Sequence, residues 1–202
     1  MNTKLAFTTM IFLGLGLGSC QKDAPEPEPK PTPVTSFSMQ LNSQRWQPSQ
    51  VGEDKCMQKF HGAWSRITTN EGSRPIFTIE AKNDIAGESR REEYLRIQIS
   101  NLKTIGVYAI TDAYTKDFFS HASFRVNRPG ETVKHYTNKT DKPAFWVEVK
   151  EFIDLPEFSH KGIRGTFYGT LYNEVNPKDS ITIHQGEFLF KKVNWYNYDQ
   201  CF

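Results

Sequence analysis

The chain has 202 residues with 25 basic and 23 acidic side chains, a formal net charge of +2, and 13% of its residues are aromatic. The near balance of charge argues against a nucleic-acid binder, which needs a basic surface. The length suits one domain with a real core, and aromatic residues in so polar a chain point to a sheet core or to platforms for a ligand.

In chain order, the first element is a targeting segment. Lys4 precedes an apolar stretch from Leu5 to Leu17 that ends in Leu17-Gly18-Ser19-Cys20. As a helix it would span only roughly 20 Å, against a hydrocarbon core of about 30 Å, so a cleaved signal over residues 1–19 is expected rather than a membrane span. A plain secretory signal is one alternative. The Leu-Gly-Ser-Cys run resembles the bacterial lipoprotein lipobox, which implies a diacylglycerol on the Cys20 thiol, cleavage before it and acylation of the new amino group. Several acyl chains make a durable anchor where one would be marginal. Residues 20–34 then form a tether, because five prolines between Pro25 and Pro33 remove backbone donors and favour polyproline II. At about 3.1 Å per residue it would hold a domain roughly 40 Å from the bilayer. Gln21-Lys22-Asp23 resembles the short charged export signals of Bacteroidota surface lipoproteins, which implies anchoring in the outer membrane with display on the cell surface rather than in the periplasm.

From Thr35 to Phe202 period-two alternation dominates. Phe37, Met39 and Leu41; Phe77, Ile79 and Ala81; Leu95, Ile97 and Ile99; Phe145, Val147 and Val149; and Phe167, Gly169 and Leu171 each line one face of a half-buried strand, and Ile181, Ile183, Phe188 and Phe190 close the series. Turn residues separate them at Asn42-Ser43, Asn70-Glu71-Gly72, Asn127 to Gly130, Asn176 to Asp179 and Gln185-Gly186. The charged segment Asp84 to Glu93 reads as a loop or at most one helical turn. Roughly ten strands with no helical stripe predict a single all-β domain over residues 35–202, an antiparallel sandwich or barrel-like fold. With Cys20 committed to lipid, Cys56 and Cys201 are the remaining cysteines, and beyond the inner membrane they are expected to pair. A bridge closing so long a loop would stabilise the fold by about 5 kcal/mol in the chain-entropy account. The alternative, two thiols serving catalysis or a metal, has no CxxC or histidine spacing behind it.

The run Phe37-Ser38-Met39-Gln40-Leu41-Asn42-Ser43-Gln44-Arg45-Trp46 resembles the opening hairpin of several uncharacterised Bacteroidota lipoprotein families, with Ser43 where they carry glycine. Gly165 to Leu171 followed by Ile181 to Phe188 resembles their closing pair of strands. The resemblance implies a β-domain and carries no active site.

Function must therefore be weighed residue by residue. Trp64, Trp146 and Trp195 are candidate stacking residues for a sugar, joined by Tyr196 and Tyr198; Trp146 is the sharper case because it opposes Phe145, Val147 and Val149. The competing reading covers that second face and packs the C-terminal aromatics beside the disulfide. Glycosidase chemistry needs two carboxylates about 5 to 9 Å apart, for which Glu148 with Glu80 or Glu187 are candidates; their outward alternation also fits a solvated face. The five histidines are scattered, and no HExxH, GxSxG, Walker or dinucleotide motif occurs. No catalytic residue, metal or cofactor is assigned. Asp179-Ser180-Ile181 resembles the O-glycosylation sequon of exported Bacteroidota proteins, with Ser180 as acceptor. The expectation is a binding module for a glycan, peptide or protein partner, held to the membrane through Cys20, with no nucleic-acid partner. The alternative is a small-ligand carrier with a pocket inside a barrel, and a glycoside-active enzyme ranks third.

Overall fold

The computed structural model describes residues 35–49, 59–70, 72–84, 91–112, 119–154 and 161–191, and all regular structure among them is β-strand. The strands are β1 (Ser36–Leu41), β2 (Gln44–Trp46), β3 (Phe60–Thr69), β4 (Gly72–Asp84), β5 (Glu92–Ser100), β6 (Gly106–Ile110), β7 (His121–Asn127), β8 (Lys134–Thr137), β9 (Phe145–Ile153), β10 (Gly162–Asn173) and β11 (Ser180–Phe190). They form one antiparallel sheet in the order β2-β1-β11-β10-β8-β7-β5-β4-β3. It forks at β10, whose first half pairs with β9, itself paired with β6, and whose last two residues pair with β8.

The sheet is curled because one face is lined with large apolar side chains that must leave water. Phenylalanine rings run across the interior in unbroken contact: Phe145 to Phe167 at 6.3 Å, Phe167 to Phe37 at 5.6 Å, Phe37 to Phe60 at 5.8 Å, Phe60 to Phe190 at 5.9 Å and Phe190 to Phe77 at 6.0 Å. Strands β9, β10, β1, β3, β11 and β4 therefore share one core, and the result is the barrel-like all-β fold that the alternation predicts. At one end the curl is drawn in by Trp46, whose indole N–H donates to Glu93 Oε2 at 2.8 Å, and by residues 47–49, where Ser49 N donates to Lys82 O at 3.0 Å.

The β1–β2 hairpin turns through two residues, Asn42 and Ser43, with φ of 49° and 66°. Positive φ at both central positions defines the turn whose twist matches a hairpin. Ser43 holds a backbone region that disfavours an L-residue by about 1–2 kcal/mol, at the position where the resembling families place glycine. Asn42 offsets this by bridging to β11: its N–H donates to Thr182 O, and its Oδ1 accepts from Thr182 N–H, both at 2.8 Å.

Two features correct the sequence reading. Gln185-Gly186 is not a turn but a bulge inside β11. Phe167 faces Gly186 and Gly169 faces Ile183, so one residue of β10 opposes two of β11, and Gln185 takes a φ of 47°. The extra residue moves the buried set from Ile181 and Ile183 to Gly186, Phe188 and Phe190. The charged segment 84–93 also contributes strand at both ends, with Asp84 paired to Glu92 and Asn83 to Glu93. Cross-strand cations permit it: Lys82 Nζ lies 3.0 Å from Glu92, and Lys59 Nζ 2.6 Å from Asp84.

Candidate functional site

Trp64 lies on β3, the last strand of the sheet order, in register with Phe77 on β4 and facing the interior. Its ring packs on Phe77 at 5.0 Å and on Phe152 of β9 at 6.2 Å, and its indole N–H donates to the carbonyl of Lys161, just before β10, at 3.2 Å. These contacts cross from the end of the sheet to the β9–β10 side, spanning the seam where the curled sheet does not close by strand pairing.

A cleft of about 440 Å³ opens along this seam. Trp64, Phe152, Leu102 and Pro75 provide its apolar lining, and Ser65, Arg66, Lys103 and Lys161 its polar lining. The volume falls in the range of small-ligand sites, as does the mixture of an aromatic floor with a few polar groups. Phe152 reaches the cleft through a second bulge. Val149 pairs with Gly165 and Glu151 with Arg164, so Lys150 is the extra residue and Phe152 comes into register with the buried Ile163.

Trp146 lies on the outer face of β9, half-buried, in register between Ala109 of β6 and Tyr168 of β10. Tyr168 is 51% exposed, so the two form an aromatic step on the open sheet face. Trp64 and Trp146 are not brought together, since one faces inward at the seam and the other outward. Cys20, Cys56, Cys201, Trp195, Tyr196, Tyr198 and His160 lie outside the described residues. Ser180 is exposed at the start of β11. The Asp179 before it is a structural hub, its Oδ2 accepting from Tyr136 at 3.1 Å, Lys134 at 3.2 Å and Asn173 at 3.3 Å.

The candidate carboxylates separate. Glu148 and Glu187 both stand in register with Thr166, one on each side of β10. At about 4.8 Å per strand their backbones are roughly 10 Å apart. Glu148 Oε2 accepts from the Thr166 hydroxyl at 3.2 Å and has Lys150 Nζ at 3.7 Å. Glu80 is on β4, with His61 Nε2 at 3.0 Å and Arg96 Nε at 3.6 Å. Burial pushes the Glu80 carboxyl up, but hydrogen bonds from His61 and Tyr94, with the charge of Arg96, outweigh it and hold the group below the usual carboxylate range. The same balance lowers Asp84 through Lys59, and Glu92 through Lys82 and Arg125. Glu80, Asp84 and Glu92 are thus members of a cross-strand ion-pair lattice. His135 lies 3.0 Å from Glu174, His121 is buried and His184 is exposed. Among the described residues no group of three or more His, Cys, Asp or Glu is placed to hold a metal ion.

Fold and site together define an all-β domain whose curled antiparallel sheet carries an aromatic, basic cleft at its seam. The chain belongs to the family described as a domain of unknown function, DUF5025, whose profile matches residues 34–191. That family is an uncharacterised one, in line with what the opening hairpin implies. No curated protein and no solved structure matches the chain.

Proposed function

We propose that the chain is a lipid-anchored cell-envelope protein that presents a non-catalytic β-domain for binding, and that its ligand is a glycan taken in the seam cleft. The observation that carries this is the surface position of the cleft around Trp64 and Phe152, set against an interior filled by contacting phenylalanine rings. An aromatic floor with a polar rim suits the C–H face and hydroxyl edge of a pyranose. A carrier would instead keep its ligand space inside the barrel, where Phe77, Phe145, Phe167 and Phe190 are each 0% exposed.

Retention of the full chain on a glycan array tests the reading. Trp64→Ala is expected to weaken retention roughly thirtyfold, as loss of a buried aromatic anchor does. Because Trp64 also packs on the core, Ser65→Trp provides a second variant that fills the cleft from an exposed position. It should abolish retention with an unchanged melting temperature. Full retention by both variants, or retention lost only in Trp146→Ala, would refute the cleft as the site.

The anchor rests on Leu17-Gly18-Ser19-Cys20 and the proline tether, and surface display on Gln21-Lys22-Asp23. Intact mass spectrometry of the membrane fraction should find a chain that starts at Cys20, carries acyl chains and lacks two hydrogens for a Cys56–Cys201 bridge. Any glycan on Ser180 would add its own mass. An unlipidated start elsewhere, or two thiols open to alkylation, contradicts the respective part. Protease added to intact cells should remove the domain, whereas survival until lysis would place it inside.

A further inference from the structure

We infer that the saccharide taken by the seam cleft is an acidic one, bearing a carboxylate or a sulfate on the sugar ring; this rests on the reading of the cleft as a glycan site. Among the described residues, the polar side chains at the cleft are Ser65 and three cations, Arg66, Lys103 and Lys161, and none of its lining residues is Asp or Glu. Lys161 is accounted for by Asp154, its Nζ lying 3.0 Å from Oδ2, in a pair exposed on both sides. Arg66 and Lys103 differ. Both are exposed, and among the described residues no ion pair involves either of them.

Several cations elsewhere on this sheet are matched. Lys59, Lys82, Arg91, Arg125 and Arg164 each meet a carboxylate across or along the strands. Unmatched like charges beside one aromatic floor repel one another until an anion arrives. The floor fixes where a ring would lie, against Trp64 and Phe152, and the rim charges fix where its anionic group would point. Arg66 supplies a planar fork of donors that matches a carboxylate or sulfate with two parallel hydrogen bonds, and Lys103 adds a compact point charge. A neutral sugar would meet the same floor and leave both cations unused.

The test is the full chain on an array holding neutral, uronate-bearing and sulfated glycans, with wild type beside an Arg66→Gln, Lys103→Gln double variant. The retained glycans should be anionic, and the uronate and sulfate arms identify which group is read. Two exposed charge contacts correspond to about a tenfold loss of affinity for the anionic glycan in the double variant at low salt. The melting temperature should not move, since neither side chain takes part in an ion pair among the described residues. In wild type the affinity should fall as salt is added. Retention of neutral glycans alone, or equal affinity of wild type and double variant for an acidic one, would overturn the acidic preference and leave the cleft reading standing if Ser65→Trp still abolishes binding. Retention of no glycan at all would overturn both.

Discussion

Trp46→Ala is expected to destabilise the domain by about 3–5 kcal/mol, the range for removing a large buried aromatic side chain. Trp46 is 5% exposed on the three-residue strand β2 and meets Phe37 edge-on at 6.1 Å and Phe124 at 5.9 Å. It thereby joins β1 to β7, which are far apart in the sheet order, and draws the curl together at one end. The substitution would also remove the N–H that donates to Glu93 Oε2 at 2.8 Å, leaving that buried carboxylate with Arg91 at 3.3 Å. Trp46→Phe keeps an aromatic plug while losing the donor and part of the ring volume, and should cost less than Trp46→Ala, about 1–3 kcal/mol. Urea unfolding of the full chain reads both. A loss below about 1 kcal/mol for Trp46→Ala would mean that the curl is held elsewhere.

Gly165→Ala is expected to be about as damaging, near 3 kcal/mol, for a different reason. A Cβ at residue 165 would stand 2.2 Å from the carbonyl oxygen of Glu148 and 2.6 Å from the Phe188 ring. A ring can shift; a backbone carbonyl held in the β9–β10 ladder cannot move without parting the strands. Gly62→Ala is the control, since the nearest atoms to its Cβ would belong to the rings of Phe77 and Phe190, at 2.8 and 2.9 Å. It should cost about 1–2 kcal/mol, less than Gly165→Ala. If Gly62→Ala proves the more damaging of the two, ring packing and not backbone contact limits this sheet.

Legibility in the sequence followed burial. Strands β4, β5, β9, β10 and β11 have one buried and one wetter face, so their alternation could be read directly. β2 and β8 are too short to show a period, with three and four residues. In β7 the outward His121 and Ser123 are buried as well, which erases the contrast between faces, and in the edge strand β6 Val107 is 61% exposed. Bulges were unreadable for a related reason. They shift phase by one residue, so the alternation of Phe145, Val147 and Val149 carried forward places Phe152 outside, whereas the extra Lys150 turns it in towards Trp64.

The site was legible only in part. Trp64 is a stacking candidate in the sequence, but Arg66, Lys103, Phe152 and Lys161 carry no local pattern. They converge because the end strand β3 meets the β9–β10 side after most of the sheet has been laid down between them. The alternation of β9 puts Trp146 opposite its core residues, as the structure does, and Tyr168 beside it is the neighbour that register alone reveals.

The most direct test of the seam cleft as the binding site is the indole N–H spectrum of the full chain, labelled with nitrogen-15, while an array-selected glycan is titrated in. Four tryptophans give four resonances, assigned by substitution. The Trp64 resonance, whose N–H is held by the Lys161 carbonyl, should shift with saturating dependence on the glycan, while that of the buried Trp46 stays fixed. A saturating shift at Trp146 with Trp64 unmoved would place binding on the open sheet face and contradict the account.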